Sequence, residues 1–118
     1  MTNLPDHIKG ATFLGWDIEI LLDDVPIDTA DYEVRMQVRK QAVITSPVLL
    51  EFSTDEGTIE RVEPTTSGVI RLVEQIVNLP AGTYVYDIEF TELSDRGRRA
   101  TWVSGEWNIL KEVTVWQI

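Results

Sequence analysis

Carboxylates are the most numerous side chains here that could carry out acid–base chemistry, with 20 Asp and Glu against 10 Lys and Arg in 118 residues. Asp17 with Glu19, and Asp87 with Glu89, form pairs two residues apart. A glycosidase needs two carboxyl groups about 5 to 9.5 Å apart across a cleft. Both pairs alternate with apolar residues, which predicts the solvated face of a strand rather than a cleft.

Arg35 and Arg39 occupy the corresponding face of another predicted strand. We therefore expect cross-strand ion pairs between these arginines and the carboxylates.

Two further acidic groups could supply oxygen ligands to Ca²⁺. They are Asp23-Asp24 with Asp28 and Asp31, and Asp55-Glu56. Neither has the spacing of the 12-residue EF-hand loop, and acidic residues are also common in turns. Turn formation is the favoured interpretation, and calcium binding is the alternative.

Nucleophilic catalysis has few candidate residues in this sequence. His7 is the one histidine, there is no cysteine, and no G-x-S-x-G or phosphate-binding glycine motif occurs. We interpret His7 as part of a flexible N-terminal arm. The sequence thus assigns no catalytic, cofactor-binding or metal-binding residue, and we expect a protein that is not an enzyme and has no cofactor.

The net charge of −10 limits the partners. No basic stripe is present, so we expect no binding to nucleic acid, and no apolar run is long enough to cross a membrane. The first residues lack the basic and apolar regions of a signal peptide, which predicts synthesis in the cytoplasm. We expect the acidic side chains to keep the protein soluble and to prevent the exposed β edges of different molecules from pairing. Alternatively, the acidic side chains form a face that docks a basic partner.

Alternating apolar residues predict several short strands and no long helix. The clearest strand is Tyr32–Arg39, and others are expected at Trp16–Leu22, Val48–Phe52, Thr58–Val62, Val69–Val73 and Arg98–Val103, with a bulge or bend at Gly105. Residues 74–79 predict either a helical turn or an irregular crossover.

We predict a flexible arm over residues 1–11 and one domain over residues 12–118. Its predicted class is an all-β, immunoglobulin-like antiparallel sandwich of about seven to eight strands, with a small closed barrel as the alternative.

The strand at residues 84–90 is preceded by a turn that contains Pro80 and Gly82. Alternation predicts that Tyr84 and the apolar residues at 86, 88 and 90 face the core. A tyrosine after such a turn is typical of the tyrosine corner of immunoglobulin-like domains, where the hydroxyl bonds to the upstream backbone.

Four tryptophans are many for this length. Trp16 and Trp107 fall on apolar faces and are predicted to lie in the core. Trp102 and Trp116 are less clearly buried, and an exposed aromatic side chain suits a sugar-binding platform or a protein interface. Core or edge packing is the favoured interpretation of these side chains, and Trp116 is the one most readily assigned to a contact with another chain.

The order of the segments resembles that of small bacteriophage and prophage structural proteins, including the N-terminal domain of the baseplate upper protein of tailed phages. The resemblance covers about residues 12–115. The segments that carry it are Gly15–Ile20, Pro26-Ile27-Asp28, Tyr32–Arg39, Gly68–Leu72, Pro80–Phe90, Arg96-Gly97-Arg98 and Lys111-Glu112-Val113-Thr114. The usual D-L-T-G after the P-I connection is replaced by Asp28-Thr29-Ala30-Asp31.

This resemblance implies a virion component of the tail or baseplate type, made in the bacterial cytoplasm and docked to other phage structural proteins, with homo-oligomers as a further expectation. The alternative is a carbohydrate-binding β-sandwich module that recognises glycans of the host cell surface through Trp102 and Trp116.

Overall fold

The computed structural model describes residues 3–111 and shows an all-β protein. Its twelve strands are β1 (His7–Ile8), β2 (Thr12–Phe13), β3 (Trp16–Glu19), β4 (Leu21–Leu22), β5 (Val25–Pro26), β6 (Tyr32–Arg39), β7 (Leu50–Ser53), β8 (Ile59–Arg61), β9 (Val69–Leu72), β10 (Gln75–Ile76), β11 (Gly82–Glu92) and β12 (Arg99–Leu110). Two short 3-10 helices, Thr29–Asp31 and Thr65–Ser67, complete the described elements. Neither helix is long and apolar enough to cross a membrane.

The largest sheet has five strands in the order β1-β12-β11-β6-β7. Its centre is the long antiparallel hairpin of β11 and β12, with β6 antiparallel to β11 on the other side. A second sheet has the order β3-β9-β8, and two small antiparallel pairs join β2 to β10 and β4 to β5. One sheet is curled like half a barrel.

Strict alternation determines which side chains form the core. In β11 Tyr84, Tyr86, Ile88 and Phe90 are buried, as predicted. The matching inward positions of β6 are Val34, Met36 and Val38, which pair with Phe90, Ile88 and Tyr86. Ile18 of β3 and the apolar residues Ile70 and Leu72 of β9 contribute from the second sheet.

The N-terminal segment differs from the arm expected over residues 1–11. Leu4 is 3% exposed and belongs to the core, and β1 lies parallel to the end of β12. The indole Nε1 of Trp107 donates a hydrogen bond to the carbonyl of Pro5 at 3.0 Å. A buried indole needs an acceptor, and an uncovered β12 would expose unpaired backbone groups, so residues 3–11 pack on the sheet instead of projecting from it.

The predicted irregularity at Gly105 is wrong, because Gly105 pairs regularly with Tyr86. The register instead shifts between Ile88 and Glu89, which pair with Val103 and Thr101 and leave Trp102 as the extra residue of β12. A bulge of this kind redirects a side chain. Here it allows the Trp102 ring to contact Phe90 of the core-facing side.

The remaining differences concern strand bounds. Leu22 and Val48 were predicted within the strands at Trp16–Leu22 and Val48–Phe52, yet both side chains are exposed. Leu22 belongs to the separate β4–β5 pair, and β7 begins only at Leu50. The undecided segment at residues 74–79 contains the short strand β10, which pairs with β2.

Candidate docking surface

The acidic clusters form turns and caps. Asp23 and Asp24 make the tight connection between β4 and β5, with φ of 51° and 64°. Asp28 Oδ1 accepts a hydrogen bond from the Ala30 amide at 3.0 Å and caps the first 3-10 helix. Within residues 3–111 no three His, Cys, Asp or Glu side chains are grouped closely enough to hold a metal ion.

The carboxylate pairs lie on exposed or half-buried faces of strands. Asp17 receives two hydrogen bonds from Arg71 of the neighbouring strand, at 2.7 and 3.0 Å. These bonds lower the pKa of Asp17 and raise the pKa of Arg71. Both groups are about half exposed, so solvent weakens the pair.

The cross-strand ion pairs predicted for Arg35 and Arg39 are not formed as expected: within residues 3–111 Arg39 makes no ion pair, and Arg35 pairs with other carboxylates. Arg35 lies opposite Glu89 in register, but its ion pairs are with Glu51 at 3.6 Å and Glu33 at 3.8 Å. Glu33 also accepts a hydrogen bond from Arg96, which lowers the pKa of Glu33.

His7 is not an exposed arm residue. Its side chain is 8% exposed, lies edge-on to Phe13 and contacts Trp107. The Nε2 atom lies 3.0 Å from the Ala11 carbonyl, which can only accept a hydrogen bond, so the Nε2–H donates. His7 therefore closes the β1–β2 connection.

The tryptophans divide between core and surface. Trp107 is fully buried, as predicted, whereas Trp16 is only half-buried and packs against the edge of the core. Trp102 is half-buried, with its ring centroid 4.8 Å from Phe90 and 5.2 Å from Tyr32. Trp116, predicted to contact another chain, lies outside the described residues.

The Trp102 ring lines a cleft of about 420 Å³, which we call the aromatic cleft. Tyr32 and Phe90 form its apolar wall, and Arg98 and Arg99 border it. Burial raises the pKa of Tyr32, and the nearby Glu92 and Asp31 carboxylates raise it further. Arg98 pairs with Glu92 at 2.8 Å, and Arg99 Nε donates to the Arg96 carbonyl at 3.4 Å. The cleft thus offers an aromatic surface beside two guanidinium groups that are partly engaged.

A larger cavity, of about 650 Å³, lies on the outer face of the five-stranded sheet; we call it the loop groove. Its floor includes the small residues Ser104 and Gly105 of β12, and Val85 of β11 adds an apolar patch. The segment Ala42–Ile44, from the connection between β6 and β7, forms one wall. Ile44 is 91% exposed, and Val43 is about half exposed.

Arg39 fixes the wall of the loop groove. Its guanidinium donates hydrogen bonds to the carbonyls of Ile44, at 3.2 Å, and Ser46, and to Gln37 Oε1 at 2.9 Å. The Ser46 amide also donates to the Val43 carbonyl at 3.0 Å, which closes a turn. The loop thus displays its apolar side chains while its backbone is tied to the sheet.

The opposite side of the loop groove carries Asp87 and Glu106. Asp87 pairs with Ser104, and Glu106 with Val85, so the two carboxylates are diagonal neighbours on the outer face. Neither forms an ion pair with another residue between 3 and 111. The groove is therefore apolar on one side and negative on the other.

The sequence matches no protein family and no curated protein, and no solved structure matches the fold.

Residue patterns did not reveal the loop groove. Val43 and Ile44 lie between two predicted strands, in a segment whose alternation is broken. The available signal was two adjacent large apolar residues in a turn-forming stretch that ends at Pro47.

Proposed function

We propose that this protein is a non-enzymatic structural or accessory component of a phage or prophage particle, of the tail or baseplate type, and that it acts by docking to other proteins. The order of segments across residues 12–115 supports the particle assignment. The loop groove carries the docking assignment, because it exposes large apolar side chains on a loop that Arg39 ties to the sheet. Exposed apolar patches with polar borders are typical of protein interaction sites.

We further propose that the two larger sheets form an immunoglobulin-like sandwich. The support is the hydrogen bond from the Tyr84 hydroxyl to the Pro80 carbonyl, 2.5 Å long, which has the form of a tyrosine corner. In this arrangement Tyr86 occupies the place of the second disulfide cysteine, so packing replaces the covalent link.

Deletion of the coding gene from the phage or prophage that encodes this protein tests the docking role. We expect particles with missing or incomplete tails or baseplates in electron micrographs, and recovery when the wild-type gene is supplied in trans. Deletion-strain particles that match the wild type in tail and baseplate structure and in infectivity would contradict a structural role, and absence of the protein from wild-type particles would contradict an accessory one.

The second candidate function is glycan binding at the aromatic cleft. The observation in its favour is the half-buried Trp102 ring beside Arg98 and Arg99, which could combine stacking with hydrogen bonding. Host cell-wall glycans should then quench tryptophan fluorescence in the wild type, and the quenching should disappear in Trp102→Phe. Absence of quenching across a glycan panel would exclude this candidate.

A further inference from the structure

We propose that the loop groove binds a segment of a partner protein in which large aliphatic side chains alternate with lysine or arginine. This inference rests on the proposed docking function and specifies the chemistry of the partner. It concerns the surface bounded by Ala42–Ile44, Val85, Asp87, Ser104–Glu106 and Arg39.

The apolar side of the loop groove determines which apolar side chains a partner must supply. Ile44 and Val43 project from the loop, and Val85 continues the apolar surface on the sheet. Removal of such side chains from water favours association roughly in proportion to the apolar area buried. A partner must therefore bring aliphatic side chains into the space above Ser104 and Gly105.

The charged side of the loop groove determines the charge that a partner must carry. Asp87 and Glu106 have no ion-pair partner within the described part of the chain. The lining of the groove holds the carboxylates of Asp87, Glu89 and Glu106 against the guanidinium of Arg39, so the local charge that a partner meets is negative. Lysine or arginine beside the aliphatic residues would complement it and would speed association.

Charge also argues against other occupants. A phosphate backbone would be repelled by the two carboxylates and by the net charge of −10. A second copy of this chain would carry the same net charge, which opposes self-association through this face. A basic, aliphatic segment of a different protein satisfies both sides of the groove.

Fluorescence polarisation with a labelled synthetic peptide of leucines and lysines separated by serines tests this inference. Control peptides replace every lysine by glutamate, or every leucine by serine. Binding of the first peptide alone is expected. Equal binding of the serine-substituted peptide would mean that only bulk charge is sensed and would overturn the proposal, as would no binding of the first peptide.

Matched protein variants locate the binding surface. Ile44→Ser should weaken the affinity about tenfold or more, because a large aliphatic contact is lost. Leu14→Ser should have no effect, since Leu14 is also highly exposed, at 79%, but does not line the groove. Equal losses for both variants would place the binding elsewhere and overturn the proposal.

Charge reversal provides a second comparison. Glu106→Lys should weaken peptide binding strongly, whereas Glu19→Lys, on an exposed strand position outside the groove, should weaken it only slightly. Circular dichroism checks that every variant is folded. Light scattering identifies a second copy as the occupant, and thereby overturns the proposal, if the wild type is a dimer and Ile44→Ser is a monomer.

Different results would contradict the groove proposal and the proposed particle role. If the wild-type protein is present in purified particles but the leucine–lysine peptide does not bind, only the groove proposal is wrong. If the protein is absent from particles, the particle role is wrong whatever the peptide does.

Discussion

Tyr84 and Tyr86 show how single side chains stabilise the centre of the molecule. Both point inward from β11, and Tyr84 is 2% exposed, with its hydroxyl donating to the Pro80 carbonyl. The Lys40 ammonium lies 4.6 Å from the centre of the Tyr84 ring. The residue thus links the turn before β11 to the strand itself.

Replacement of Tyr84 by Phe should lower the free energy of unfolding by about 1 kcal/mol, the usual net contribution of a buried hydrogen bond. Because the ring and its packing are retained, the decrease in the free energy of unfolding measures the contribution of the hydroxyl group. Urea denaturation measures it, with an unchanged slope expected. A variant as stable as the wild type would contradict a stabilising corner.

Alkaline pH should destabilise the protein through its buried phenols. Burial raises the pKa of Tyr86 to about 12 and also raises the pKa of Tyr84, above the ordinary value of 10.0. Between pH 10 and 12 the unfolded chain therefore binds fewer protons than the folded chain, and stability falls as pH rises. Tyr86→Phe should show a shallower fall in the unfolding free energy over this window; an identical fall would contradict the assignment.

The β4–β5 hairpin is the element whose sequence fits its geometry least well. Its two connecting residues, Asp23 and Asp24, both have positive φ, and Leu22 pairs directly with Val25. This is the backbone of a type I′ turn, in which glycine is preferred at the second position. Aspartate tolerates the conformation but at some cost in free energy.

Asp24→Gly should therefore raise the free energy of unfolding by roughly 0.5 kcal/mol, because relief of the positive φ outweighs the added freedom of the unfolded chain. Asp24→Ala is the control; it removes the same charge without relieving the backbone and should be destabilising. Thermal and urea denaturation compare the two. Equal effects of glycine and alanine would show that charge, not backbone geometry, determines stability there.

Most long strands could be predicted because their side chains alternate without interruption. Tyr32–Arg39 and the strand through residues 84–90 have one apolar and one largely polar face, so burial of one face determines their orientation. The hairpin turn before β12 depends on local chemistry instead, because Asp95 Oδ1 accepts a hydrogen bond from the Gly97 amide.

The bulge, the docked N-terminal segment and the loop groove could not be predicted, because each depends on distant partners. The extra residue Trp102 becomes evident only from the pairing of β12 with β11. The packing of Leu4 requires the edge of β12, about a hundred residues away in sequence, as the Leu4 amide bonds to the Glu106 carbonyl. A strand of two residues, such as β1, is too short to show an alternation of apolar and polar side chains.

The molecule combines a strong negative charge with exposed apolar side chains. The net charge of −10 makes copies of the protein repel one another, while apolar side chains are accessible in the loop groove and the aromatic cleft. Such a surface favours association with a complementary partner over association with itself. This combination suits a small docking component of a larger assembly.

Quantitative mass spectrometry of purified particles tests the proposed particle role. Phage particles prepared from the source strain are separated on a density gradient, and the protein is measured against the major tail and capsid proteins. We expect the protein to co-migrate with intact particles at a constant ratio that high-salt washing does not change. Absence of the protein from particles, while it is abundant in the lysate, would contradict the proposed particle role.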